Sequence, residues 1–192
     1  MMTRRNIRAV AIGASAGAVQ ALMQLLPSLP ADFPVPIFIV VHVPPDRSNA
    51  LVGLFHDKCR LIVKEAEDKE EARGGTIYFA PSDYHLLVEK DGTLSLAMDE
   101  PVNHSRPAID VLLETAADAY GEGLVGMVLT GANHDGAAGL RAVAALGGMA
   151  LVEDPKTAAT PTMPAAALLA CPTAEARDLA GLAEYLQRVA AP

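Results

Sequence analysis

The sequence predicts an α/β fold in a single domain. Three observations carry that expectation. The chain has 192 residues, a length that suits one full hydrophobic core better than two. Short runs of Ile, Val and Leu alternate with segments whose apolar residues return at helical spacing. Two of the runs enter turns rich in Gly and Ala, as strand-to-helix connections do. The composition, 51% hydrophobic with 15 Gly and 14 Pro, belongs to a folded globular chain and not to a disordered one.

Charge and cysteine content exclude several classes. A net charge of -8 opposes binding to nucleic acid or to an anionic membrane surface. Arg4, Arg5 and Arg8 read as a solvated tail, with residues 1–7 ahead of the core of a domain spanning 1–192. Gly13, Ser15, Gly17 and Gln20 interrupt the apolar run that a signal peptide or membrane span would need, which places the protein in the cytoplasm. Cys59 and Cys171 lack metal-ligand spacing and are expected to be reduced.

Val10 to Ile12 read as a buried strand, and Val19, Leu22, Met23 and Leu26 as one face of the next helix. Between them lies Gly13-Ala14-Ser15-Ala16-Gly17, which fits a nucleophile elbow with Ser15 at its tip. Such a turn also fits a phosphate cradle or tight packing. The phosphate reading is weakened because no Lys-Ser/Thr pair follows and the spacing is not Gly-x-Gly-x-x-Gly.

After a loop over Pro27 to Pro36, the apolar run through Val43 is a second buried strand, stopped by Pro44 and Pro45. His42 lies near its carboxyl end, where ligands bind in open α/β sheets; a core histidine is the alternative. Asp46 to Phe55 reads as a helix with Leu51, Leu54 and Phe55 on one face, and Leu61 to Val63 as a short strand. Lys64 to Arg73 reads as solvated surface. Thr76 to Ala80 is a further strand, and the Asp91-Gly92 pair predicts a hairpin between His85–Val88 and Leu94–Ala97. His56 and His85 are taken as ordinary polar residues.

Pro107 is expected in the first turn of a helix carrying Ile109, Leu112, Leu113, Ala116 and Tyr120, with Ser105 as its cap. Arg106 fits either a surface ion pair or a contact to an acidic substrate. Leu124 to Leu129 is a buried strand running into the second glycine-rich turn, Thr130 to Leu140. Asp135 there reads as a cap of the helix carrying Leu140 and Val143, or as a buried carboxylate holding His42, or both. Gly148 to Val152 is another strand, Met163 to Ala170 a short helix, and Ala174 to Ala190 the closing helix.

Ser15, His42 and Asp135 thus stand at the carboxyl ends of three apolar strands. Together they supply acyl transfer: a serine nucleophile, a histidine base, and a carboxylate that fixes the imidazole tautomer. The backbone amides of Ala16 and of the Gly131-Ala132 turn are candidates for an oxyanion hole. The order Ser, His, Asp differs from that of α/β-hydrolases.

Several stretches carry a resemblance. They are the Ser15 turn, Val40-Val41-His42-Val43-Pro44-Pro45, Lys64-Glu65-Ala66-Glu67-Asp68, Ile77-Tyr78-Phe79-Ala80-Pro81, Asn103-His104-Ser105-Arg106-Pro107, and Leu129-Thr130-Gly131 with Asp135-Gly136-Ala137-Ala138-Gly139. In this order the chain resembles the catalytic domain of the bacterial chemotaxis protein-glutamate methylesterases, the CheB family.

The resemblance implies a doubly wound, Rossmann-like, mainly parallel sheet with an antiparallel hairpin. It places Ser15, His42 and Asp135 on the family's triad. The implied reaction is hydrolysis of glutamate γ-methyl esters on cytoplasmic chemoreceptor helices, releasing methanol, with glutamine deamidation as a related activity. No metal and no organic cofactor are implied, and nucleic acid and membrane insertion play no part.

Two departures bear on efficiency or substrate choice: Ala18 stands where the family often has glycine, and Ala132-Asn133-His134 replaces the usual Met-Gly-containing turn. The receiver domain usual in the family does not occur in this sequence, so control by phosphorylation within the chain is not expected, unless the sequence is an excised domain or works beside a separate response-regulator partner. A catalytically weak binding module of the same fold is the alternative, followed by a phosphate or nucleotide binder.

Overall fold

A computed structural model describes residues 6–42 and 48–191. Its centre is a seven-stranded, wholly parallel sheet in the order β3-β4-β2-β1-β7-β8-β9. The strands are β1 (Ala9–Ala14), β2 (Ile37–Val41), β3 (Ile62–Glu65), β4 (Thr76–Phe79), β7 (Leu124–Val128), β8 (Met149–Glu153) and β9 (Glu175–Arg177). The remaining two, β5 (His85–Val88) and β6 (Leu94–Ala97), form the antiparallel hairpin expected from Asp91-Gly92.

β1, β2 and β7 are apolar throughout because helices cover both faces of the sheet. Alternate side chains divide between two cores. Val10, Ile12, Ile37, Ile39 and Met127 pack under α1 (Ala18–Leu25), α2 (Ser48–His56) and α6 (Leu179–Ala190). Ala9, Ala11, Phe38, Val40 and Val128 pack under α3 (Ile109–Tyr120), α4 (Ala137–Ala145) and α5 (Thr162–Ala170). The hairpin lies against the second core through Leu86, Val88 and Leu94, and the Thr115 hydroxyl of α3 accepts the Val88 N–H at 3.1 Å. The chain enters at β1, builds outward through β2, and later returns to β1's other side as β7. The winding direction therefore reverses at β1, and the turns after β1 and β7 flank the crevice where such sheets place ligands.

Several expectations are corrected. The buried face of α1 is Ala18, Ala21, Leu22 and Leu25, which leaves Val19 at 40% exposure; small alanines let the helix lie closer to the sheet than the bulkier stripe would. Leu54 faces outward beside the buried Leu51 and Phe55. Arg8 is not tail: its N–H bonds Gly123 O at 2.7 Å and its guanidinium lies over the Tyr120 ring.

The charged stretch after β3 is not merely solvated. Its backbone pairs with the hairpin through Lys69 N to Leu94 O and Leu94 N to Glu70 O, and Ala66 is buried. The closing segment divides into β9 and α6, since pairing with β8 makes a strand of Glu175-Ala176-Arg177 and Asp178 then caps α6 by accepting the Gly181 N–H at 2.8 Å. α3 starts at Ile109, so Pro107 precedes it, and Ser105 pairs with the Val102 backbone instead of capping the helix. Cys59 and Cys171 are free thiols, and burial pushes Cys59 up to about 11. Arg4, Arg5 and the stop at Pro44-Pro45 lie outside the described residues. Among the described residues, no helix is long and apolar enough to cross a membrane.

Candidate active site

The site is built where β1, β2 and β7 end. Ser15 follows β1 directly, and its backbone N–H donates to Thr130 O at 2.9 Å. The chain then reverses through Gly17, whose φ of 86° is left-handed and disfavours any side chain. Ser15 is therefore held just ahead of the amino terminus of α1, where the helix favours developing negative charge. Ala16 and Gly17 are exposed at the tip of the turn. Among the described residues, the Ser15 hydroxyl has no hydrogen-bond partner, which leaves it open to a substrate.

His42 follows β2. Ala14 and Val41 are register partners, and the His42 N–H donates to Ala14 O at 3.2 Å, so His42 and Ser15 leave neighbouring strands side by side. The His42 ring is 13% exposed, and its Nε2 lies 2.7 Å from Asp135 Oδ2. An ionised carboxylate only accepts, so Nε2 carries the proton. In a neutral ring Nδ1 is then the unprotonated nitrogen, able to accept a proton.

Asp135 is fully buried, and its surroundings keep it charged. Oδ2 also accepts the Ile109 N–H at 2.7 Å, while Oδ1 accepts the Asp110 N–H at 3.0 Å and Asn103 Nδ2 at 2.8 Å. Burial pushes the carboxyl up. The bonds from His42, Ile109, Asp110 and Asn103 together outweigh it and hold Asp135 below the usual carboxylate range.

These bonds correct the capping expectation. Asp135 immediately precedes α4 yet caps α3, and Asp110, in the first turn of α3, accepts the Gly136 and Gly139 N–H groups at 3.0 and 2.7 Å at the start of α4. The two helices thus exchange caps. The exchange needs their starts to touch, and glycine permits it: a Cβ on Gly139 would meet Leu113 Cβ at 2.7 Å, and one on Gly136 would meet Ile109 Cγ2 at 2.9 Å.

Asn103 ties the exchange together, its Nδ2 donating to Asp110 Oδ2 at 2.7 Å as well as to Asp135. In the sequence Asn103 belongs to a motif but carries no role, and Asp110 is marked only as an acid in a first helical turn. His85 likewise carries no role there. His85 is buried, accepts the Ala108 N–H at Nδ1 at 3.2 Å, and sits 3.0 Å from Glu100 O through Nε2, which ties the hairpin end to the start of α3. Arg106 is the surface ion pair and not a free anion binder: its guanidinium bonds Asp83 Oδ1 at 2.8 Å and the carbonyls of Met98 and Asp99.

The two oxyanion candidates differ. The Gly131 amide donates to Thr160 O at 3.0 Å and is unavailable. The Ala16 and Ala132 amides have no acceptor among the described residues, and both residues are exposed on the crevice-side turns.

Comparison with known proteins agrees with this architecture. The family model described as CheB methylesterase matches residues 10–186. A Leptospira interrogans protein provisionally named protein-glutamate methylesterase/protein-glutamine glutaminase is 44% identical over 184 residues, covering 96% of this chain and 95% of the relative. The Archaeoglobus fulgidus protein-glutamate methylesterase/protein-glutamine glutaminase is 36% identical over 162 residues, which is 83% of this chain and 46% of that protein. Among solved structures, the catalytic domain of Thermotoga maritima CheB methylesterase superposes with a TM-score of 0.90 at 33% identity, covering 95% of this chain and 98% of that one. A match across most of the chain in sequence and in fold has one reading: this chain belongs to the CheB methylesterase family.

Proposed function

We propose that the protein is a serine hydrolase that removes γ-methyl esters from glutamate residues of chemoreceptors and releases methanol. The observation that carries this reading is the 2.7 Å contact between His42 Nε2 and the buried Asp135 carboxylate, beside Ser15 on the neighbouring strand.

In this mechanism the Ser15 hydroxyl attacks the ester carbonyl while His42 Nδ1 takes its proton. Asp135 stabilises the resulting imidazolium and holds its orientation. The oxyanion accepts hydrogen bonds from the Ala16 and Ala132 amides. Collapse expels the methoxy group, His42 returns the proton to it, and methanol leaves an acyl group on Ser15. Water then attacks with His42 again as base, which frees the glutamate carboxylate and restores the serine. The same steps on a glutamine side chain release ammonia, which accounts for a glutaminase activity.

Residues 1–192 act as one methylesterase domain in this reading, and Ile7 already packs against its core. It works in the cytoplasm on receptor helices. The test is methanol release from methylated chemoreceptor by wild type and by Ser15→Ala. Turnover by the wild type alone is the expected result. Receptor binding without turnover in either protein would instead identify a binding module.

A further inference from the structure

Besides Asp135 and the α4 cap Asp110, the described residues bury one further carboxyl. Glu153 closes β8 at 1% exposure, and its Oε2 accepts the Thr130 N–H at 2.8 Å. Among the described residues its carboxyl has no other hydrogen bond and no ion pair. A carboxyl buried on a single donor is costly, and an apolar side chain would fill the same strand position without that cost. What the carboxyl holds is therefore informative.

Thr130 in turn holds the nucleophile turn at two points. Its carbonyl accepts the Ser15 N–H at 2.9 Å, and its hydroxyl donates to Ala16 O at 2.8 Å while accepting the Thr160 N–H at 2.8 Å. The Ser15–Ala16 peptide is pinned on both sides, at Ser15 N and at Ala16 O. Between those points lie the Cα that carries the reacting hydroxyl and the Ala16 amide assigned to the oxyanion. A small shift of Thr130 would move both together, and misplacement by about 1 Å is enough to cost on the order of 100-fold in rate.

We infer that Glu153 is a positioning residue for the ester hydrolysis, acting through Thr130 to set the nucleophile turn, and that what it supplies there is a hydrogen-bond acceptor. The inference rests on Ser15 being the nucleophile. Burial pushes the Glu153 carboxyl up against the opposing pull of the Thr130 amide, and a neutral carboxyl still offers its carbonyl oxygen to that amide.

The experiment compares wild type, Glu153→Gln, Glu153→Met and Glu153→Ala. Two rates are read: methanol release, resolved into kcat and KM, and phosphonylation of Ser15 by an alkyl fluorophosphonate. Circular dichroism reports folding, and the alanine variant decides if the methionine variant does not fold. Glu153→Gln keeps an acceptor of the same shape and is expected within about threefold of wild type in both rates. The folded Met or Ala variant is expected to lose about 100-fold in kcat and in phosphonylation, with KM changed by less than about threefold.

Wild-type rates in a folded Met or Ala variant would overturn the inference, as would a Gln variant as impaired as the Met variant. If the wild type phosphonylates at Ser15 but releases no methanol, the methylesterase reading fails and the phosphonylation rates still decide the role of Glu153. A wild type inert to both removes the nucleophile and the inference with it.

Discussion

Asp135→Asn separates the two duties of the buried carboxylate, because an amide cannot perform both. The Asn amide offers one oxygen and one NH2 where four donors now converge on two oxygens. With the NH2 on the Oδ1 side it would oppose the Asp110 N–H and the Asn103 amide. The first can only donate, and turning the second would aim its oxygen at the Asp110 carboxylate. On the Oδ2 side it opposes Ile109 N–H and His42, and His42 alone can become an acceptor by changing tautomer. The second placement costs less, and it moves the histidine proton to Nδ1, the nitrogen needed as base.

Stability then falls by about 2–4 kcal/mol, from one charge-assisted bond lost and the others weakened to neutral ones. For a domain of this size that lowers the unfolding midpoint by roughly 4–16 °C. Turnover falls by on the order of 10⁴, the effect of a wrong tautomer in a serine triad. The assays are thermal unfolding by circular dichroism and labelled-methanol release. The stability gap has a fixed pH sign. Because the folded-state value of Asp135 is held low, its contribution is present above the unfolded carboxylate range, near about 4, and is lost as pH falls through the folded value. The wild-type and Asn midpoints therefore converge in acid. A folded Asn variant with turnover within about tenfold of wild type would refute the tautomer argument.

Two further outcomes follow from the buried carboxyls around the site. Asn103→Leu removes the donor shared by Asp110 and Asp135, leaving two buried carboxylates without their bridge; a loss of about 2–4 kcal/mol by denaturant unfolding and at least tenfold in kcat is expected, and an unchanged unfolding midpoint would show that the bridge is idle. Glu153→Gln should raise stability at pH 8 more than at pH 4. The raised folded-state value means that wild-type stability is full below the unfolded glutamate value and declines as pH climbs through the folded one, so a gap between the two proteins that fails to widen with pH would contradict this.

Much of this architecture is legible in the residues themselves. β1, β2 and β7 are unbroken apolar runs because both faces are covered, and Asp91-Gly92 marks the hairpin that forms. β9 is not legible: Glu175, Ala176 and Arg177 have no strand character of their own and extend only because β8 offers its edge. The caps of α3 and α4 escape sequence reasoning for a related reason. A local cap lies within a few residues of the helix it serves, whereas Asp135 reaches a helix start 26 residues upstream. Ser15, His42 and Asp135 could be singled out because each stands at the end of an apolar run. Their neighbours Asn103, Asp110 and Thr130 act through tertiary hydrogen bonds, and only the strand order reveals those.

The central claim is that Ser15, His42 and Asp135 act as one catalytic unit, and non-additivity tests it most directly. Methanol release would be measured for Ser15→Ala, for His42→Ala and for the double variant, each verified as folded. If the serine and histidine belong to one proton-transfer unit, removing either disables the other, and the three rates agree within about threefold. Losses that multiply in the double variant would mean that the two residues contribute independently and form no single catalytic unit.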